Sequence, residues 1–245
     1  MSLLSKNSNN ITSLVKLIRI SFSDFLAPRH CVVCNKYTNH SQRFSKFICD
    51  KCYDNIPFAE DSKSIVNRFH SNFAGSSYIS EASALFNVMG GSPYIEIIHA
   101  LKYQKFQSVA GEFTRLLAKR LEFENMLNYD YIVPIPIHIA KKRERGFNQS
   151  DLIADSLSEV TGIKSNKNIL YRHKYTVTQT LLSKSERMEN MENVFNSKNE
   201  VDIKNKAILL VDDVLTTGST INSAAQILMK AGARRVGSAT LAIAN

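Results

Sequence analysis

The stretch that most constrains this chain is Ile208-Leu209-Leu210-Val211-Asp212-Asp213-Val214-Leu215-Thr216-Thr217-Gly218-Ser219-Thr220. From Ala207 to Val211 the residues are aliphatic and do not alternate. That pattern suits a strand covered on both faces, as in a parallel sheet. Asp212 and Asp213 fall where this strand is expected to end. Open parallel sheets hold ligands outside the carboxyl ends of their strands. Thr216, Thr217, Gly218, Ser219 and Thr220 then open a helix expected to reach about Lys230.

The chemistry follows from the parts. A helix N-terminus offers N–H donors and a partial positive charge, so it can hold a phosphate. Gly218 lets backbone approach closely, and the hydroxyls add donors. Two adjacent carboxylates can accept from vicinal hydroxyls or hold Mg²⁺ partly through water. A ribose carrying a 5′-phosphate satisfies both halves. An acidic strand end before a capped helix explains each piece alone, but not the whole thirteen-residue arrangement.

Val211 to Thr220 resembles the phosphoribosyl-pyrophosphate (PRPP) motif of type I phosphoribosyltransferases. The resemblance implies that Asp212 and Asp213 contact the ribose hydroxyls. It also implies that Thr216, Thr217, Gly218, Ser219 and Thr220 wrap the 5′-phosphate.

The chain has 245 residues, enough for one sizeable domain and a small appendage. Its net charge of +9 points to anionic partners without choosing among nucleic acid, nucleotides and pyrophosphate. No run of apolar residues is long enough to cross a membrane. The apolar pattern from Ile11 to Leu26 is broken by Lys16, Arg19 and Asp24, so it reads as an amphipathic helix and not a signal peptide. A cytoplasmic protein is expected. Residues 1 to 10 are Ser/Asn-rich and are expected to be disordered.

All four cysteines lie between positions 31 and 52, as Cys31-Val32-Val33-Cys34 and Cys49-Asp50-Lys51-Cys52. Two CxxC knuckles at this spacing predict a closed, structural Cys₄ site for Zn²⁺. Lys36, Arg43, Lys46 and Lys51 lie in or beside it and are ordinary for a solvated module.

Residues 56 to 80 read as a linker, Glu81 to Val88 as a strand, and Gly90 to Pro93 as a turn before a helix. A second helix is expected over Val109 to about Glu124. Tyr131 to His138 is a further apolar strand, with Pro134 and Pro136 arguing against a central ladder position at those residues and predicting that the strand ends and bends there. Lys141-Lys142-Arg143-Glu144-Arg145-Gly146 reads as a basic loop able to hold pyrophosphate, because guanidinium forks match phosphate oxygens. A helix from Gln149 to Thr161, closed by Gly162, should follow. Residues 164 to 198 carry Arg172 and Arg187 and suit a substrate-covering loop. Lys206 to Ala244 reads as one βαβ unit.

Val133-Pro134-Ile135-Pro136 with His138, Arg143 to Gln149, and Thr176 to Leu182 with Glu186, Arg187 and Asn190 are similar to the ComF family. These are phosphoribosyltransferase-like proteins linked to bacterial DNA uptake, with a Cys₄ finger ahead of the core. The likeness covers roughly residues 12 to 245, with Ile139 standing where proline is common.

The fold expected is therefore α/β: a type I phosphoribosyltransferase-like, doubly wound parallel sheet with an N-terminal helix and a small zinc-finger module. The expected domains are 1–27 (tail and amphipathic helix), 28–56 (finger), 57–128 (linker and helical hood) and 129–245 (phosphoribosyltransferase-like domain). The resemblance implies PRPP or another ribose 5-phosphate compound as ligand, with Mg²⁺. It implies pyrophosphate contacts from His138, Arg143, Arg145, Arg172 and Arg187, and a homodimer. Competence proteins are implied partners. The alternative is a non-catalytic uptake factor that binds single-stranded DNA or a partner. No acceptor is legible, and none of His99, His138 and His173 stands out as a catalytic acid or base.

Overall fold

The computed structural model describes residues 29–38, 45–73, 76–101, 107–173, 194–198 and 203–244. They fall in two compact units, Met1–Ile56 and Pro57–Asn245. The helix expected over Ile11 to Leu26 lies outside the described residues, as do Arg187 and most of the expected covering loop.

In the first unit, β1 (Arg29–His30) pairs antiparallel with β2 (Tyr37–Thr38), and α1 spans Asp50–Asp54. Asn35 turns the hairpin with φ 56°, a left-handed conformation that asparagine tolerates better than most residues.

The second unit runs α2 (Ser62–Phe73), β3 (Glu81–Val88), α3 (Ile95–Leu101), α4 (Gln107–Phe123), β4 (Tyr131–Pro134), α5 (Ile139–Arg145) and α6 (Gln149–Thr161). It continues with β5 (Lys164–Ser165), β6 (Leu170–Arg172), β7 (Phe195–Ser197), β8 (Ala207–Leu215), α7 (Ser219–Lys230) and β9 (Arg235–Ala244). Five strands form one sheet in the order β3-β9-β8-β4-β5, and every pairing in it is parallel. β6 and β7 form a separate antiparallel pair.

The helices cover both faces. α2 and α7 share a cluster in which Ile65, Phe69, Phe73, Ile221, Ala224 and Leu228 meet Ile208 and Leu210 of β8. α4 and α6 pack together and reach β3, β4, β8 and β9. Ala207 to Val211 are fully buried, as a central parallel strand requires. The free side of β3 is covered locally: Asn87 N–H donates to Pro57 O (2.7 Å) and Ala59 N–H to Leu85 O (3.1 Å).

Four expectations need correction. The supposed linker contains α2, because Ile65, Phe69 and Phe73 recur at i, i+4 and i+8 and are all buried. The basic loop is the helix α5, capped by His138 and ended by Gly146 at φ 81°. β4 stops at Pro134 yet lies centrally, between β5 and β8. The proline is tolerated there as the last paired residue of the strand, opposite Val211. β8 continues past the carboxylates, since Asp212 is in register with Thr240 and Leu215 with Ile243.

Candidate functional site

Two places gather chemistry. The first is the cysteine cluster. Each CxxC knuckle closes in the same way: Asn35 N–H donates to Cys31 O (2.8 Å) and Tyr53 N–H to Cys49 O (2.9 Å). Val32 N–H donates to Phe47 O (2.9 Å) and ties the knuckles together. The four sulfurs all lie within 4.8 Å of one another, and Cys34 Sγ is 3.8 Å from Cys49 Sγ. Sulfurs about 2.3 Å from a tetrahedral zinc would be about 3.8 Å apart, so the donor set fits such an ion. Burial, and then the neighbouring sulfurs, push the Cys52 thiol up; burial also raises Cys31. A cation at the centre would offset both effects.

The second place is the crevice at the carboxyl ends of β4 and β8. From β4 the chain goes outward to β5, and it later returns to β8 on β4's other side. That is a topological switch point, where parallel sheets bind ligands. Asp212 is half-buried there. Its Oδ1 accepts from Ser150 Oγ (2.9 Å) and from Asp213 N–H (2.9 Å). Asp213 Oδ1 accepts from Val214 N–H (2.8 Å). Burial, and then the Asp213 charge, raise the Asp212 carboxyl to about 8, against the pull of Ser150, the Asp213 N–H and Arg172.

The hydroxyl-rich turn follows. Thr216 is exposed, Thr217 half-buried and Gly218 buried. Gly218 has φ 82°, and a Cβ built on it would stand 2.7 Å from Phe69 Cε1, so the position excludes any side chain. Thr217 Oγ1 and Ser219 Oγ share a hydrogen bond at 3.0 Å. Ser219 and Thr220 form the first turn of α7; its N-cap Gly218 has no side chain to cap with, and Thr217 Oγ1 accepts from Ser219 N–H at 3.4 Å.

Cations flank the carboxylates. Arg172, on β6, is half-buried with its guanidinium 5.6 Å from the Phe195 ring centroid. Burial lowers its pKa and the charge of Asp212 raises it. Lys141 is half-buried too; burial, then the charges of Arg172 and Arg145, lower its pKa. Arg145 Nη1 donates to Gln149 Oε1 at 3.4 Å. Asp212, Arg172, Lys141 and Arg145 therefore form one electrostatically linked set. Arg143 is exposed and has no ion pair or hydrogen bond among the described residues. His138 caps α5, its Nδ1 accepting from Ala140 N–H (3.2 Å). His99 is exposed and lies 3.4 Å from Glu96, and His173 is also exposed.

Residues 145–245 match the family described as "Phosphoribosyl transferase domain". The chain is 41% identical over 108 residues to "Competence protein F" of Haemophilus influenzae, covering 43% of this chain and 46% of that protein. It is 33% identical over 148 residues to "DNA utilization protein YhgH" of Escherichia coli K12, covering 59% of this chain and 64% of that protein. It is 36% identical over 114 residues to "Competence protein ComFC" of Bacillus subtilis, covering 45% and 43%.

These likenesses, with the matched domain, support a place for the chain among ComF-type proteins. Its matches span between 43% and 64% of the length of these relatives. Two residues of this crevice were not singled out from the sequence. Ser150 directly follows the Arg143 to Gln149 run, but its partner Asp212 is 62 positions away. Lys141 opens the basic segment Lys141 to Gly146, and only folding brings it near Arg172. For Lys141, the helical spacing to Arg145 was the available signal. Among the described residues of this chain no helix is long and apolar enough to cross a membrane.

Proposed function

We propose that this ComF-type protein binds PRPP, or a related ribose 5-phosphate compound, and carries phosphoribosyltransferase-type chemistry in a DNA-uptake setting. The observation that carries the reading is one crevice holding the Asp212–Asp213 pair, the hydroxyl-rich turn and Arg172. Asp212 and Asp213 would accept from the ribose hydroxyls. Thr216, Thr217, Gly218, Ser219 and Thr220 would hold the 5′-phosphate through backbone N–H groups and hydroxyls. Arg172, with Lys141 and Arg145, would neutralise pyrophosphate, the group that gains charge as it leaves. Arg143, His138 and Arg187 are further candidates for that contact. Two hard carboxylate oxygen donors fit Mg²⁺, which is usually held by one or two carboxylates plus substrate oxygens and there supplies charge neutralisation. Cys31, Cys34, Cys49 and Cys52 would hold a structural Zn²⁺. The uptake setting is proposed from the names of the relatives.

Calorimetric titration of PRPP into the zinc-loaded protein, with and without Mg²⁺, tests this. Binding that requires Mg²⁺, lost in Asp212→Asn with Asp213→Asn, is the expected result. No binding under either condition overturns it.

A second reading is single-stranded DNA binding through the finger. It is supported by the hairpin's exposed Arg29, Lys36 and Tyr37 and by the edge-on His30–Tyr37 ring pair at 6.5 Å. Salt-dependent binding of an oligonucleotide, lost in Tyr37→Ala, is its signature. No binding at low salt removes it.

A further inference from the structure

The segment read from sequence as a linker braces the turn assigned to phosphate. Three contacts define the brace. The Phe69 ring lies against Gly218, where a Cβ would come within 2.7 Å of it. Asn72 Nδ2 donates to Thr217 O at 3.2 Å. One turn into α7, Asn222 is latched to the chain just after α2: its Oδ1 accepts from Tyr78 N–H (2.9 Å) and its Nδ2 donates to Ser76 O (3.0 Å). Asn222 N–H also donates to Gly218 O at 2.8 Å, so the latch reaches the glycine itself.

The Asn72 contact fixes a direction as well as a distance. In a planar trans peptide the C=O and the following N–H point opposite ways. Holding the Thr217 carbonyl toward α2 turns the Gly218 N–H away from α2. Phe69 blocks the alternative in which the glycine settles into the helix side. Gly218 could otherwise rotate widely, because glycine has access to both signs of φ. Ile65, Phe69 and Phe73 anchor α2 in the core, so the brace is rigid on its own side.

We infer that Asn72 is a positioning residue: it sets the Thr217–Gly218 peptide so that the Gly218 N–H is presented to a phosphate group. The inference rests on the reading of Thr216 to Thr220 as the phosphate turn.

The test uses the full chain and ribose 5-phosphate as probe. Asn72→Leu removes the donor at similar size, and Asn72→His keeps a side-chain N–H. Asn72 is only half-buried, so both variants should fold, and a thermal melt checks that. The first readout needs no ligand: the ¹H–¹⁵N resonance and hydrogen exchange of the Gly218 amide. The second is the affinity for ribose 5-phosphate. In Asn72→Leu the Gly218 resonance should move and its exchange quicken. Affinity should fall about three- to tenfold, the effect of one net hydrogen bond. Asn72→His should restore both. A folded Asn72→Leu protein with a wild-type Gly218 resonance overturns the inference, as does unchanged affinity in a protein that binds the probe. If the wild-type chain ignores ribose 5-phosphate while the Gly218 amide responds to the substitution, the backbone brace is upheld and the phosphate reading falls.

Discussion

The Ser150 hydroxyl, on the first turn of α6, donates to Asp212 Oδ1 at 2.9 Å and so joins the helix after the basic segment to the carboxylate pair. Ser150 is itself fixed, because its N–H donates to the N-cap Asn148 Oδ1 (3.4 Å). Asn148 in turn donates to Ile135 O (3.0 Å), beyond the end of β4. A hydrogen bond to the charged form of an acid lowers its pKa. In Ser150→Ala the Asp212 carboxyl should therefore titrate still higher than in the wild type. Carboxyl ¹³C resonances followed against pH check this, with Ser150→Thr restoring the wild-type curve. The stability cost should be about 1 kcal/mol, measured by urea unfolding.

Asp212 makes the crevice sensitive to pH in a defined direction. Its carboxyl is raised to about 8, so the native chain keeps a proton that the unfolded chain releases above its ordinary value. Stability from this group is fully present below about pH 4 and is lost as pH rises toward 8. Asp212→Asn should flatten that decline and leave the unliganded protein more stable than wild type at pH 9, by roughly a few kcal/mol. Urea midpoints at pH 5 and pH 9 decide it; a wild-type slope in the variant would assign the decline elsewhere.

At the turn, Gly218→Ala should be costly for two separate reasons. The left-handed φ of 82° disfavours any Cβ, and the Phe69 ring occupies the space. The combined loss should be roughly 2–4 kcal/mol by chemical denaturation. Phe69→Leu in the same background should relieve only the steric part.

Much of this was legible in the chain, for reasons that can be named. The strand before Asp212 carries an uninterrupted aliphatic run, and the strand over Glu81 to Val88 is mostly apolar and bounded by the Gly90-Gly91 turn. The helices from Gln149 and Ser219 have clear ends, at Gly162 and Gly218. The cysteine cluster was written in its spacing. What escaped depended on partners distant in sequence. α2 looked like a linker because Ser62, Asn67, Ser71 and Asn72 dilute it and Pro57 and Gly75 flank it. Its spaced Ile65, Phe69 and Phe73 were the signal that could have found it. α5 buries none of its residues, so no apolar stripe announced it. The tie between Ser150 and Asp212 exists only once α6 lies against β8.

The finger should depend on its metal and the larger unit should not. Cys34→Ser, or removal of zinc by a chelator, is expected to unfold the segment holding β1, β2 and α1, since a preformed site does not survive in an unfolded chain. The second unit, from Pro57 onward, should keep its cooperative thermal transition. Metal content by mass spectrometry with a two-step melt checks both halves. A zinc-free protein with an intact finger would remove the metal assignment.

The order of strands has a consequence for how the protein is made. β3 takes its sheet partner from β9, and Ser80 bonds to Val236 across 156 positions of chain. At about 5–20 residues per second a ribosome needs roughly 8–30 s to close that gap. Through that interval β3 has been synthesised but its partner has not. One of its flanks can be shielded at once, by Pro57 to Ala59 emerging just before it. The other stays open until β9 arrives, so the nascent chain carries an unpaired apolar edge for most of its synthesis. This is the period in which aggregation competes with folding.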